Sequence, residues 1–375
     1  MTESELIRSP LHERHVALDA RTAAFGGWEM PLEYAGGGVL REHAAVREAV
    51  GIFDVSHLGK LVVRGRGAAA YVDSCLTNEL ERIEPGQAQY TMACDDATGG
   101  VVDDLIVYLR ADDDLLLVPN AANSAEVAER LRSGAPDGVE VVDRHTEEAV
   151  LAVQGPRCDE VLAAVDLPVG HRYMSFRTGS IDSSVGGATA TVCRTGYTGE
   201  RGYELVLPAE AAPEVWDRLL AAGEEHGIRA CGLGARDTLR MEMGYPLHGQ
   251  ELGPEITPVQ ARAGWAVGWD KPAFWGRDVL VTERSDGARR LLRGLRAGGR
   301  AIPRPGMPVQ VVDSGTGGPL GTVTSGTFSP TLRTGIGLAL LERSVSDGDE
   351  VQVDVRGRPE PFTVTKPPFV ETTLR

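Results

Sequence analysis

Gly99-Gly100-Val101-Val102-Asp103-Asp104-Leu105-Ile106-Val107-Tyr108-Leu109-Arg110 is the segment on which the reading of this chain turns. Two glycines open it, and six of the eight residues from Val101 to Tyr108 are apolar or aromatic, a composition that favours a β-strand. Alternation along a strand predicts Asp104 on one face with Val102, Ile106 and Tyr108, and Asp103 on the other with Val101, Leu105 and Val107. Whichever face looks inward carries a carboxylate among apolar neighbours, and an unpaired buried ion costs on the order of several kcal/mol. Such a strand has a partner for the charge or a use for it. The alternative is that both aspartates lie near solvent at the strand's first turn and cap the Gly-Gly loop.

Outward from this strand, Gln87 to Asn120 reads as a meander. Gln89–Cys94, the segment itself and Leu115–Asn120 are joined by turns at Cys94–Gly100 and Ala111–Asp114. Asn123-Ser-Ala-Glu126 has the form of a capping box for a helix running to Gly134. Upstream, Gly26–Tyr34 is an irregular aromatic stretch, Val39–Val50 a helix stopped by Gly51, and Lys60–Arg64 a strand. Downstream, strands are expected at Ala149–Gln154, Ala188–Arg194 and Tyr203–Pro208, and helices at Pro213–Gly227 and Leu233–Met243. Beyond about residue 285 five or more short strands follow without a helix pattern, which predicts a small all-β domain, a barrel. The sequence before it lacks the regular alternation of a doubly wound sheet.

At 375 residues the chain has room for two or three domains. Its net charge of −16 and lack of a basic run exclude a nucleic-acid surface. No apolar run nears the roughly 20 residues a membrane helix needs, and the acidic first residues are not a signal peptide. The five cysteines, Cys75, Cys94, Cys158, Cys193 and Cys231, form no CxxC pair, so the expectation is a reduced, metal-free, cytoplasmic protein. Gly232-Leu-Gly234 and Gly315–Gly321 lack the strand-turn-helix context of a dinucleotide site. Asp54, Ser56 and His57 are too close in sequence to converge as a triad. Arg194–Glu204 is more unusual, with two tyrosines and two glutamates among glycines and threonines at a strand entrance. A glutamate there can accept paired hydrogen bonds from a flat heterocycle, or the stretch is a hairpin loop with solvated carboxylates.

Nine motifs occur in order: Gly27-Trp-Glu-Met-Pro-Leu, Phe53-Asp-Val-Ser-His, Gly99–Tyr108, Ala152-Val-Gln-Gly-Pro156, Gly196-Tyr-Thr-Gly-Glu200, Gly202-Tyr-Glu204, Gly232–Arg240, Thr324–Pro330 and Thr365-Lys-Pro. Together, from about Leu11 to Pro368, they closely resemble the aminomethyltransferase family, the T-proteins of the glycine cleavage system. The resemblance implies an α+β fold, a three-domain cloverleaf-like arrangement around a central folate channel. Two interleaved mixed α/β domains span residues 1–285, roughly 1–60 with 145–235 and 61–144 with 236–285, and a β-barrel spans 286–375. It implies transfer of the methylene of an aminomethyl group from the lipoyl arm of H-protein to tetrahydrofolate, with release of ammonia. P-protein and L-protein share the pathway, and no metal takes part.

Carried over by position, Asp104 resembles the family's catalytic aspartate, Glu204 the pteridine-binding glutamate and Tyr197 the aromatic packed on that ring. Arg236 matches an arginine near the reacting end, with either an ionisation-setting or a structural role. Asn120, Tyr108, Tyr90, Tyr173 and Tyr245 are expected to line the channel. Asp103 is left to serve the loop. Leu58 stands where the family often has methionine after Ser-His, and no terminal tyrosine follows Pro368. A folate-dependent demethylase, or a non-catalytic folate-binding protein of the same fold, is the alternative. The non-catalytic relatives typically lack the carboxylate that Asp104 supplies.

Overall fold

The computed structural model describes residues 6–181, 188–312 and 319–372; Gly315–Gly318 of the glycine-rich stretch lies outside them. A small N-terminal sheet runs β1 (Ile7–Arg8), β3 (Trp28–Glu33), β2 (Arg21–Phe25), with α1 (His12–Ala17) inserted and α2 (Gly38–Glu48) following. The aromatic stretch is thus a strand hairpin. Next, β4 (Val50–Asp54) enters a second sheet that is completed only later. In between come β5 (Leu61–Arg64), α3 (Ala68–Cys75), β6 (Gln87–Cys94), β7 (Val101–Ala111), β8 (Asp114–Val118), α4 (Ser124–Gly134) and β9 (Glu140–Asp143). Their strands form a five-stranded sheet in the order β6-β7-β8-β5-β9.

The chain then returns through β10 (Glu148–Gln154), α5 (Cys158–Ala163), β11 (Phe176–Ser180), β12 (Thr189–Cys193), β13 (Gly202–Pro208), α6 (Ala212–Gly223) and β14 (Ile228–Cys231). With β4 these strands make a six-stranded sheet in the order β11-β12-β13-β10-β4-β14. Helices α7 (Leu233–Met243) and α8 (Arg277–Asp286) precede the third unit. There β15 (Arg290–Ala297), β16 (Pro308–Val311), β17 (Gly321–Ser329), β18 (Thr334–Glu342), β19 (Glu350–Asp354) and β20 (Pro359–Thr365) close a barrel, β15-β18-β17-β16-β19-β20.

The strand periodicity explains the layering. Leu105, Val107 and Leu109 of β7 meet Val72, Val127 and Leu131 of α3 and α4. Tyr108 and Ile106, one residue out of phase, join Phe53, Val150, Ala152 and Val206, so the two large sheets pack face to face. The far face of the six-stranded sheet buries Ile52, Leu151, Val153 and Leu205 against Trp216 and Leu219 of α6 and Val161 of α5. Two helical layers therefore enclose two sheets, and the barrel is attached at α7, where Met241 packs with Ile336 and Leu338.

Three local expectations change. Cys94 pairs with Val101 and Ala93 with Asp103, which makes Val102 the extra residue of a β-bulge. The bulge moves Val102 in among Leu105, Val107 and Leu109, away from the face it shares with Asp104 under strict alternation. Gly51 does not cap α2 but lies inside β4. A Cβ there would fall 2.5 Å from Val46 Cγ2 and 2.8 Å from Cys231 Sγ, so the position is small because helix and strand meet over it. Asn123 is the N-cap residue of α4 but makes no side-chain capping bond, because its amide is engaged elsewhere.

Candidate active site

Two carboxylates at the head of β7 occupy unequal environments. Asp103 is 0% exposed, whereas Asp104 is half-buried. Asp104 Oδ2 accepts from the Tyr90 hydroxyl on β6 at 3.1 Å, and Oδ1 from Asn120 Nδ2 at 3.0 Å. Asp103 accepts from the Asn120 backbone N–H at 3.0 Å, from Asn120 Nδ2 at 2.9 Å and from Asn123 Nδ2 at 2.6 Å. One amide nitrogen therefore bridges both carboxylates. Asp103 does not serve the Gly-Gly loop, which is closed instead by Asp95 accepting from Ala97 and Thr98. Burial raises Asp104 above the ordinary carboxylate range, against the hydrogen bond from Tyr90. Burial and then the charge of Asp104 push Asp103 up to about 8, opposed by the two asparagine amides. Burial likewise holds the Tyr90 phenol far above its usual value, and its ring stacks on the exposed Trp265 with centroids 5.3 Å apart.

On the six-stranded sheet, Glu204 of β13 is half-buried, and its Oε2 accepts from Thr195 Oγ1 at 2.6 Å. Thr195 has given its one proton to Glu204, so the Tyr108 hydroxyl, 3.2 Å away, donates to Thr195. Tyr108 itself is 2% exposed and packs edge-on against Phe176. It reaches the site through Thr195. Among the described residues, Glu204 Oε1 accepts no hydrogen bond.

Helix α7 delivers Arg236. Glu42, buried on α2, accepts from the Gly232 N–H at 2.9 Å and from the Tyr34 N–H at 2.7 Å, fixing where α7 begins. Gly232 must be glycine, because a Cβ would lie 2.3 Å from the Leu32 carbonyl carbon. The Arg236 guanidinium lies 4.8 Å from the centroid of the Tyr197 ring, and burial lowers its pKa against the attraction of Glu204 and Tyr197. Tyr197 donates its hydroxyl to the Pro246 carbonyl and stands 5.7 Å from the Tyr245 ring. Its phenol is raised by burial and, among other charges, by Asp104. The charge of Asp104 is thus felt at Tyr197, the ring that Arg236 covers. Tyr173 is 37% exposed, on the segment where Met174 joins the sheets by accepting from the Ala88 N–H.

Asp54, Ser56 and His57 do not assemble. Asp54 accepts from Ser9, from His15 Nε2 at 2.8 Å and from the Ser56 N–H at 2.9 Å. His57 is buried edge-on to Phe25, and burial with the nearby Arg236 lowers its pKa to about 3. Sequence reasoning passed over four contributors to the site. Thr195, Asn123 and Trp265 carry no signal of their own, and His248, whose Nδ1 lies 3.0 Å from Asn123 Nδ2, is one of eight scattered histidines. Asp103, expected at the loop, instead takes the two asparagines beside Asp104. Among the described residues no group of three His, Cys, Asp or Glu side chains could hold a metal ion, and no described helix is long and apolar enough to cross a membrane.

A face-to-face α/β body, an attached six-stranded barrel, and a half-buried carboxylate and aromatic site between the sheets agree with the mixed α/β-plus-barrel fold that the resemblance to the T-proteins implies. Residues 11–271 match the family described as the GCVT N-terminal domain, and residues 290–371 the glycine cleavage T-protein C-terminal barrel domain. The aminomethyltransferase of Frankia alni is 63% identical over 372 residues, covering 99% of this chain and 100% of that one. That of Parafrankia sp. is 64% identical over 373 residues, again covering 99% and 100%. The solved glycine cleavage system aminomethyltransferase T from Bartonella henselae matches with a TM-score of 0.90 at 31% identity, covering 98% of this chain and 99% of that one. The chain belongs to the glycine cleavage T-protein, or aminomethyltransferase, family.

Proposed function

We propose that the chain is a tetrahydrofolate-dependent aminomethyltransferase acting on lipoylated H-protein, alongside P-protein and L-protein. The methylene carbon passes from the lipoyl sulfur to the folate nitrogens, the amino nitrogen leaves as ammonia and the lipoyl arm is left as dithiol. Full-length identity above 60% to aminomethyltransferases supports this reading. The observation that carries it at the site is the position of Asp104. It is half-buried, fixed at both oxygens by Tyr90 and Asn120, and its charge reaches Tyr197, the ring over which Arg236 lies.

The residues suit a reduced pterin. Glu204 keeps Oε1 available for a ring N–H edge while Thr195 orients the carboxylate through Oε2. Tyr197, Tyr245 and Tyr90 offer aromatic surface, and Asn120 and Tyr173 offer polar lining. Alkylating a folate amine builds positive charge, and an ionised carboxylate held in place beside it stabilises that charge without reorganising. Asp104 supplies that carboxylate and can take the departing proton. Arg236, held over Tyr197, balances Glu204 and orients an anionic or sulfur-bearing group at the same end. The bound folate supplies the nucleophilic nitrogens. The domain division proposed is roughly 1–60 with 145–235, 61–144 with 236–285, and 286–375; packing of Leu252, Phe274 and Leu280 on Met92, Cys94 and Val101 supports the second grouping. Ammonia release from aminomethylated H-protein with tetrahydrofolate tests the reading; an enzyme that binds folate but releases no ammonia would overturn it.

A further inference from the structure

The reaction needs only Asp104 of the two adjacent carboxylates, yet the more elaborate hydrogen bonding belongs to Asp103. Three donors converge on a side chain with no solvent exposure. Two of them come from Asn120, whose Nδ2 also donates to Asp104 Oδ1 and to the Asp104 carbonyl at 2.9 Å. An amide nitrogen has two hydrogens, so this nitrogen is fully committed.

The third donor, Asn123, is oriented in turn. Its Nδ2 spans Asp103 and His248 Nδ1, and His248 Nε2 lies 3.1 Å from the Val101 carbonyl. A carbonyl only accepts, so Nε2 carries the ring hydrogen and Nδ1 of the neutral ring accepts from Asn123. Every polarity in the chain from Val101 through His248, Asn123, Asp103 and Asn120 to Asp104 is thereby set.

We propose that Asp103, backed by Asn123 and His248, is the positioning unit for Asp104: it holds the Asn120 amide in one orientation and through it the carboxylate that meets substrate. The inference rests on the reaction proposed above. Without the Asp103 carboxylate, Asn120 loses two of its four acceptors and keeps only those of Asp104, so its amide turns more easily and can present a carbonyl instead of a donor to Asp104. The two carboxylates titrate as a pair because they are adjacent and the charge of Asp104 raises Asp103. The titratable groups facing the pair are Tyr90 from β6, Tyr197 from the loop before β13, and His248 from the segment after α7.

Asp103→Asn, an isosteric change, tests it in the full-length enzyme. The expected result is a kcat lower by about 10- to 100-fold, the order of effect that mispositioning alone produces, with tetrahydrofolate affinity within about threefold by calorimetry. The kcat–pH profile should lose one of the two ionisations of the pair. A merely structural aspartate would leave the profile's shape alone. Asn123→Ala is the second variant, which keeps Asp103 but removes its shortest donor. It should lower kcat several-fold and move the upper ionisation to higher pH, since that hydrogen bond favours the charged form. Infrared difference spectra of the carboxyl C=O band over a pH titration read the coupling without turnover. Two coupled steps in an enzyme that releases no ammonia would remove the proposed reaction and keep the pair. Normal turnover in Asp103→Asn, within twofold of wild type and with an unchanged profile, would overturn the positioning role and keep the reaction.

Discussion

Asp104→Asn separates charge from shape at the proposed reacting carboxylate. The side chain keeps its volume, its Oδ1 can still accept from Asn120, and the new amide can face Tyr90, whose hydroxyl then accepts instead of donating. The Tyr90 hydroxyl proton loses its acceptor, but the carboxylate removed is one whose ionised form burial already disfavours. Folding stability should therefore hold or rise slightly. Activity should not. A unit cation about 4 Å from the carboxylate, at an effective dielectric near 20, gains about 4 kcal/mol, which converts to a rate factor on the order of 10³. The assay is single-turnover ammonia release with aminomethylated H-protein and saturating tetrahydrofolate, alongside calorimetric folate binding and thermal unfolding. The expected outcome is a kcat down by about 10³ with folate affinity nearly unchanged. A kcat within tenfold of wild type would refute the electrostatic role, and a large loss of Tm would recast Asp104 as structural.

Glu204→Gln should weaken tetrahydrofolate binding by about 1.5–3 kcal/mol, the worth of a hydrogen bond to a charged group, while kcat at saturation changes little; titration calorimetry reads the first and saturated turnover the second. Asp103 gives a pH dependence of stability with a definite sign. Its folded pKa, pushed up to about 8 from an ordinary 3.8, means the fold favours the protonated form, so wild type loses stability as pH rises from about 4 to about 8 and no further beyond. The stability of Asp103→Asn relative to wild type should accordingly rise across that window by on the order of a few kcal/mol, measured by urea unfolding at pH 5 and pH 8. Gly51→Ala should destabilise by about 1–3 kcal/mol through overpacking at Val46 and Cys231, seen as a lower urea midpoint with an unchanged slope.

The parts of the fold legible in the sequence are those where local pattern and tertiary demand coincide. The meander from Gln87 to Val118 reads correctly because its apolar runs and Asp/Gly turns agree with its pairing. Helix Leu233–Met243 has the same limits in both, and the C-terminal strands close into the expected barrel. The failures occur where a distant contact decides. Nothing local at Gly51 announces that Cys231 will pack over it, and nothing at Asn123 announces that Asp103 will take its amide from the helix cap. Helix Arg277–Asp286 has only Leu280 fully buried, so its apolar stripe is too thin to see. At the candidate site, Asp104, Glu204, Tyr197 and Arg236 stand in motifs readable from the sequence, whereas Thr195, His248 and Trp265 come into view only through what folding sets beside them. The bulge at Val102 is the sharpest case, since strict alternation cannot know that one residue is skipped.

Helix α7 has a consequence for how separable the parts of this protein are. Arg236 stands at the proposed reacting end. One turn on, Arg240 holds Glu251 at 2.9 Å and Ser325 of the barrel at 2.9 Å. Two residues later, the fully buried Glu242 takes hydrogen bonds from Ser329 and Thr331 of the barrel side and from His43 and Arg47 of α2. Six residues of helix, about 9 Å at 1.5 Å each, therefore run from the chemistry to the barrel wall. The C-terminal barrel is not an accessory module that could be trimmed or exchanged on its own. Its removal would strip partners from a buried carboxylate and a buried guanidinium on the very rod that aims Arg236. The unit of inheritance, and of engineering, is the whole chain.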